Sequence, residues 1–129
     1  MLKDGYCFGC GKDNPIGLHL EFKFEDDKYV AKKILPREYQ GWQGIVHGGI
    51  LTTMVDEAMA SYVTDKYGVE PVTGTLKMRY KSPTPTEQEL TITAWQESQR
   101  HNTFTMRATI STADGKVTTE ATAMMVISK

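Results

Sequence analysis

In one segment of this chain the apolar residues recur with the period of an α-helix. In most of the other segments apolar and polar residues alternate. Residues 49–67 carry apolar side chains at i, i+3, i+4 and i+7 spacings, which is the pattern of a helix with one buried face. Those side chains are Leu51, Met54, Val55, Ala58, Met59, Tyr62 and Val63. Gly68 follows at the position where a left-handed residue ends many helices. The sequence therefore predicts a single long helix over residues 49–67.

The remaining segments are predicted to be strands, because apolar and polar residues alternate in them. The predicted strands are 18–24, 28–35, 73–81, 89–96, 103–111 and 116–127. Asp26-Asp27 and Asp114-Gly115 are turn sequences between neighbouring strands. Small residues in the last strand, Ala121 and Ala123, would let a helix lie close to the sheet. Short connections favour antiparallel pairing, so we expect an α+β fold in which a curved antiparallel sheet wraps one long central helix.

Length and composition restrict the class of protein. The chain has 129 residues, which fits a single domain over 1–129 with an irregular, Gly- and Asn-containing N-terminal arm over 1–17. Charged residues make up 24% and the net charge is −1, so neither nucleic acid nor membrane is an expected partner. We find no apolar leader or membrane-spanning run and only two cysteines, and we expect a cytoplasmic protein.

The sequence His47-Gly48-Gly49 stands at the predicted start of the helix. The first amides of a helix have no partner within it, and the helix dipole makes that end partly positive. Glycine allows a ligand to approach the backbone closely. An amide here could polarise a carbonyl oxygen and stabilise an oxyanion. The alternative is that the two glycines only permit a sharp turn into the helix.

A carboxylate pair, Asp56 and Glu57, lies within the same helix. Asp56 is beside the apolar stripe, whereas Glu57 is interpreted as structural, on a solvated face. Asp56 follows Gly48 by eight residues, about 12 Å along the axis. One helix therefore cannot bring both to one carbonyl, but two antiparallel helices across a two-fold axis can. Asp56 could then act as a general base on water or as a nucleophile.

The segments VHGGILTTMVDEAMA, TGTLKMRYKSPTP and YCFGCGKDNPIGLHLEF together resemble the hotdog-fold thioesterase superfamily, most closely its PaaI-like and THEM-like acyl-CoA thioesterases. The resemblance implies a homodimer or homotetramer, formed through the central helix and sheet, that hydrolyses acyl-CoA. It implies that the Gly48 amide polarises the thioester carbonyl and that Asp56 is the base or nucleophile. By the same resemblance, His47 positions the substrate and Thr73 orients water. Gly49 is an expected substrate contact beside Gly48.

Relatives often carry an Asn or Gln shortly before the glycine pair, and Gln43 is the candidate here. Two further functions share the fold: a non-catalytic acyl-CoA-binding or regulatory module, and a dehydratase. The dehydratase is disfavoured because Ser61 stands where such enzymes have a histidine. Motifs of elbow-type serine hydrolases, zinc metalloproteases, phosphate-binding loops and dinucleotide binding are absent from the sequence.

The two cysteines form the sequence Cys7-x-x-Cys10, which is half of a typical zinc site. His19 is a possible third ligand, but we interpret the pair as packing or contacts within the arm, and expect no metal or redox cofactor. Trp42 and Tyr62 are interpreted as core aromatics, with an acyl pocket as the alternative.

Lys77, Arg79 and Lys81 share one face of a predicted strand, followed by Ser82. Arg79, Lys81 and Ser82 are our candidates for binding the phosphates of coenzyme A. The alternative is a solvated surface.

Overall fold

The computed structural model describes residues 4–127, in which there are six strands and one α-helix. In chain order the elements are β1 (Lys23–Glu25), β2 (Lys28–Ile34), a 3-10 helix (Arg37–Tyr39), α1 (Gly48–Tyr67), β3 (Pro71–Tyr80), β4 (Glu89–Arg100), β5 (Thr103–Thr112) and β6 (Val117–Ile127). The predicted order of two strands, one helix and four strands is confirmed. The predicted arm is described from residue 4 onward, and its first three residues lie outside the described part.

The strands form one curved antiparallel sheet in the order β1-β2-β4-β5-β6-β3. Strands β2 and β3 flank α1 in the sequence but are separated in the sheet by three other strands. Helix α1 therefore crosses one face of the sheet, and this face supplies the core. Alternate side chains of the strands are buried there, as the period of two predicts. They include Leu90, Ile92, Ala94, Met106, Ala108, Ile110, Ala121, Ala123 and Met125.

Helix α1 begins one residue earlier than predicted and ends where predicted. At its end, Gly68 has a φ of 69° and donates its amide to the Thr64 carbonyl over 2.8 Å. A side chain would be strained in this left-handed conformation, which explains the glycine. The predicted apolar stripe is buried along its whole length, including Tyr62. The interpretation of Tyr62 as a core aromatic is therefore confirmed.

The first predicted strand, residues 18–24, is wrong in extent, since only Lys23–Glu25 is a strand. His19 has a φ of 54°, which interrupts an extended backbone. The amides of Leu18 and Leu20 bond instead to the carbonyls of Phe8 and Gly9 in the arm, at 2.8 and 2.9 Å. Both leucines are buried as the alternation predicts. The arm takes the place of the strand partner that the sequence pattern implied.

Strand β3 lies at one end of the sheet and carries an irregularity close to its start. Thr73 stands opposite Met125, and Thr75 stands opposite Met124. Gly74 is therefore an additional residue, and such bulges redirect the neighbouring side chains. A Cβ at this glycine would lie 3.1 Å from a Val126 methyl group. The outer edge of β3 has no strand partner within residues 4–127.

Candidate active site

His47 caps the start of α1 with its own side chain. Its Nδ1 accepts a hydrogen bond from the Gly49 amide over 2.9 Å. Its carbonyl accepts from the amides of Ile50 and Leu51, at 2.9 and 3.2 Å. Three of the first four helix amides are thus engaged. His47 already occupies the Gly49 amide, so the contact between Gly49 and the substrate stays a prediction that does not use this donor.

The Gly48 amide is the remaining donor at this helix end, and it has no acceptor among residues 4–127. The Gly48 N–H lies in the same peptide plane as the His47 carbonyl. In a trans peptide the N–H and the C=O point in opposite directions. That carbonyl points into the helix, so the Gly48 amide points outward from the helix start. The Gly48 carbonyl is also held, by Thr52 Oγ1 at 3.0 Å and Tyr80 Oη at 3.2 Å.

A groove of about 510 Å³ runs past Gly48. Trp42, Leu51 and Tyr80 give it apolar walls, and Lys81 and Ser82 add polar groups. Trp42 is 85% exposed, so its interpretation as a core aromatic is wrong and the alternative, a pocket wall, fits better. The Lys81 ammonium is paired with Glu120 at 3.2 Å, with both side chains 41% exposed. Such exposed pairs contribute about 0–1 kcal/mol and can rearrange toward a ligand.

Asp56 is half-buried and is held by a residue from β3. Thr73 Oγ1 donates to Asp56 Oδ1 over 2.6 Å. The Gly74 bulge lies next to Thr73 and so helps to direct its side chain toward the helix. The structure therefore brings together two of the predicted catalytic residues within one chain. Gly48 and Asp56 remain eight residues apart on α1, about 12 Å along its axis.

The predicted substrate-binding residues fall into separate groups. Lys81 and Ser82 line the groove at Gly48, whereas Arg79 lines a shallow cavity of about 280 Å³ with Lys77 and Arg107. Tyr80 reaches the helix, so its neighbour Arg79 projects from the opposite face of the sheet. This arrangement places Arg79 away from Gly48.

Gln43 lies in an exposed turn before the helix. A second upstream amide, Gln40, stabilises that turn by accepting from the Gly44 amide at 3.0 Å. Gln40 lies three residues further from the glycine pair than Gln43, and no sequence pattern marks it.

The interpretation of Glu57 as a residue on a solvated face is wrong. The N-terminal arm covers it, and Glu57 Oε1 accepts from Cys7 Sγ at 3.4 Å while Oε2 accepts from Ser61 Oγ at 2.7 Å. His19, the possible third ligand, instead bonds through Nε2 to the Asn14 carbonyl over 2.6 Å. The contact between Cys7 and Glu57 could not be predicted from the sequence, because the arm has no periodic pattern that would place it.

The family model of the thioesterase superfamily matches residues 43–119, which is more than half of the chain. The chain belongs to this superfamily. The matched region contains the glycine pair, Asp56 and Thr73, so the resemblance stated from the sequence is confirmed at the level of the family. A search of curated protein sequences returns no match. Within residues 4–127, α1 is not apolar enough to cross a membrane.

Solved structures confirm the hotdog fold. A thioesterase superfamily protein superposes with a TM-score of 0.86 at 27% identity, over 95% of this chain. This chain spans only 60% of that protein. A hypothetical thioesterase from Streptococcus pneumoniae TIGR4, solved with coenzyme A, has a TM-score of 0.76 at 24% identity, covering 84% of this chain and 88% of the other. The E. coli PaaI protein has a TM-score of 0.76 at 19% identity, covering 84% and 83%.

Proposed function

We propose that this thioesterase superfamily member hydrolyses an acyl-CoA thioester to a free acid and coenzyme A. The observation that carries the proposal is the Gly48 amide, which faces outward beside the groove and is the one donor at the helix start without an acceptor in the described residues 4–127. Coenzyme A in the S. pneumoniae structure and acetyl-CoA bound to a Streptococcus mutans structure of the same fold support this substrate class.

In the proposed reaction, the Gly48 amide donates to the thioester carbonyl oxygen and stabilises the negative charge that develops there. Asp56 takes a proton from water as the water oxygen attacks the carbonyl carbon. The carbon–sulfur bond then breaks, and the leaving thiolate takes up that proton. Direct attack by Asp56, followed by hydrolysis of the anhydride, is the alternative route. Neither route requires a metal or a redox cofactor.

The absence of any internal need for glycine at position 48 supports a ligand there. A Cβ at Gly48 would lie 3.6 Å from the Tyr80 ring, which is ordinary contact. No positive φ requires a glycine at this position either. A requirement from outside the chain, such as the approach of a thioester to the backbone, accounts for the residue.

We propose that each site combines Gly48 of one subunit with Asp56 of another. The separation of about 12 Å along one helix supports this, because a carbonyl cannot reach both. Strand β3 supports a homodimer, since a ten-residue edge strand is normally covered in a native protein. Val72 on that strand is 62% exposed, as a residue at an interface would be in the isolated chain. Association of dimers into a tetramer stays a prediction, as does the cytoplasmic location.

The remaining candidates take supporting roles in the proposal. With Nδ1 of His47 accepting from Gly49, the ring hydrogen lies on Nε2, where it can position the substrate. Lys81 and Ser82, at the groove, would contact the phosphates or the pantetheine arm of coenzyme A. A role for Arg79 requires that coenzyme A extend to the outer face of the sheet. A role for Gln43 at the thioester requires that its exposed turn approach the groove in the assembled protein.

Thiol release from short-chain, long-chain and aromatic acyl-CoAs tests the activity, with wild type, Asp56→Ala and the exposed-turn control Asp27→Asn. We expect Asp56→Ala to lower turnover by about 10²-fold or more with the oligomer intact, and Asp27→Asn to match wild type. Normal turnover by Asp56→Ala would show that the assigned mechanism is wrong.

Mixing two inactive variants tests the shared site. Gly48→Pro removes the amide, and in a heterodimer with Asp56→Ala one of the two sites regains both groups. Random reassortment makes half of the dimers mixed, so about one quarter of wild-type activity should return. If each site lay within one subunit, the mixture would stay inactive.

A second candidate is a non-catalytic acyl-CoA-binding module. The exposed position of Gln43, away from the groove lining, favours it because the upstream amide found in relatives would then be missing from the thioester. Tight binding of every acyl-CoA in the panel without thiol release would select this function.

A further inference from the structure

Three metal-ligating side chains meet where the N-terminal arm crosses α1. Cys7 Sγ, Cys10 Sγ and a carboxylate oxygen of Glu57 all lie within 4.8 Å of one another, and the three residues are half-buried. Thiolate sulfur and carboxylate oxygen are both common zinc ligands, and the C-x-x-C spacing is typical of zinc sites. The structure thus adds to the cysteine pair a third ligand that is 47 residues away from Cys10 in the sequence.

The geometry of the three groups agrees with one tetrahedral ion. With bonds of about 2.3 Å to sulfur and about 2.0 Å to oxygen, a tetrahedral zinc places these two ligand atoms about 3.5 Å apart. Cys7 Sγ and Glu57 Oε1 are 3.4 Å apart. Two sulfurs on such an ion are about 3.8 Å apart, which lies within the 4.8 Å limit of the cluster.

The backbone of the arm is shaped to bring the cysteines to Glu57. The Cys7–Cys10 turn is closed by a hydrogen bond from the Gly11 amide to the Cys7 carbonyl at 2.8 Å. A Cβ on Gly9 would lie 2.6 Å from Glu57 Oε1, and a Cβ on Gly11 would lie 2.4 Å from the Gly5 carbonyl oxygen. At Gly11 the clash is with backbone atoms, so only glycine fits there. A side chain at Gly9 would have to displace the Glu57 carboxylate from the cysteine turn.

We propose that Cys7, Cys10 and Glu57 bind one Zn²⁺ that fastens the N-terminal arm to α1. Binding displaces the two thiol protons, and the ion is held by two thiolates and one carboxylate oxygen. A water completes the tetrahedron from the adjoining cavity of about 550 Å³, which Cys7 and Glu57 both line. Ser61, through its hydrogen bond to Glu57 Oε2, orients the carboxylate toward the ion. One position on the ion stays open to water, but the proposed hydrolysis uses Gly48 and Asp56 and does not require the ion.

Metal titration of the full chain tests the site. The protein is freed of any histidine tag, kept reduced, stripped with a chelator and titrated with Zn²⁺, and separately with Co²⁺ as a spectroscopic probe. We expect one zinc per chain and a thiolate-to-cobalt charge-transfer absorption. Cys7→Ser, Cys10→Ser and the isosteric Glu57→Gln should each weaken zinc binding by more than about 100-fold. Asp56→Asn, which removes the neighbouring carboxylate, should bind zinc as wild type does.

Circular dichroism of the metal-free variants verifies that lost binding does not reflect lost folding. The proposal is overturned if folded, reduced wild type takes up well below one equivalent of zinc. It is equally overturned if Glu57→Gln or both cysteine variants bind as tightly as wild type, because the ion would then lie elsewhere. Loss of zinc binding by Glu57→Gln with retention by Asp56→Asn is the result that supports it.

Discussion

Thr73 at the start of β3 donates a 2.6 Å hydrogen bond to Asp56 in the middle of α1. The contact joins two residues that are 17 positions apart and lie on different elements. It gives the proposed catalytic carboxylate a fixed orientation within its own subunit. The resemblance assigns Thr73 to orienting water, which stays a prediction, and the structure directs the hydroxyl hydrogen to the carboxylate. We therefore infer that Thr73 acts on the reaction through Asp56.

Replacing Thr73 by Val should lower kcat about ten-fold with a smaller effect on KM, because the hydroxyl orients the base without contacting the substrate. Thr73→Ser, which keeps the donor, should restore kcat. Steady-state kinetics of the wild type and the two variants provides the measurement. Equal effects of Val and Ser would contradict the assigned role.

Gly48 offers an unusually direct test of an oxyanion donor, because proline is tolerated at the first position of a helix. His47 has φ −59° and ψ 135°, which a residue before proline adopts readily. Gly48→Pro should therefore keep the helix and lose only the amide hydrogen. We expect turnover to fall by about 10²–10³-fold relative to Gly48→Ala.

Gly48→Ala is the matched control, because it adds a Cβ near Tyr80 but keeps the amide. Its loss of turnover relative to wild type measures how far the Cβ alone hinders the approach of the thioester. Thermal unfolding of both variants verifies that the helix survives. If the alanine variant keeps measurable turnover and the proline variant matches it, the amide is not the donor.

Tyr29 predicts a pH dependence of stability. Burial, and then its hydrogen bond to the Asp65 carboxylate, raises the pKa of the Tyr29 phenol. The ordinary tyrosine pKa is about 10, so folding favours the protonated phenol. Its contribution is complete below about pH 10 and is lost as the pH rises beyond that value toward the folded pKa.

Tyr29→Phe should lower the free energy of unfolding by about 1 kcal/mol at neutral pH, since Asp65 is exposed and can be solvated. Between about pH 10 and 11 the difference between variant and wild type should shrink. Urea unfolding of both proteins at a series of pH values measures this difference in the free energy of unfolding. A difference that grows with pH would show that the assigned titration has the wrong sign.

Ala123 on β6 is buried between α1 and the sheet. Ala123→Leu adds three carbon atoms where the helix crosses and should destabilise the fold by about 1–3 kcal/mol. Thr122 precedes it and projects from the outer face with Lys77 and Arg107, so Thr122→Leu should change stability by less than about 0.5 kcal/mol. Denaturant unfolding compares the two. Equal losses in the free energy of unfolding would contradict the assignment of Ala123 to the packed face and Thr122 to the outer face.

The order of elements and most of the core follow from the sequence, because the periods of 3.6 and 2 require no knowledge of distant contacts. The strand predicted over residues 18–24 is wrong in extent because Leu18 and Leu20 pair with an irregular arm, although their alternation is real. No local pattern specifies such a partner.

The candidate site was only partly accessible from the sequence. The resemblance supplied Gly48, Asp56 and Thr73, but not the bond between the last two, which depends on a bulge at Gly74. The dense glycines around Cys7 and Cys10 were the one local signal that the arm packs closely against something. Their target, Glu57, depends on the tertiary fold and could not be identified without it.

The His47 cap also determines which ligands this helix end disfavours. A phosphate is bound at a helix start by several amides that converge on its oxygens. Here the imidazole and the His47 carbonyl take three of the first four amides, leaving a single hydrogen for one oxygen atom. Such an end serves a lone carbonyl far better than a polyanion. If the substrate is the proposed acyl-CoA, this helix end would discriminate against its nucleotide portion binding in reverse and favour entry of the thioester.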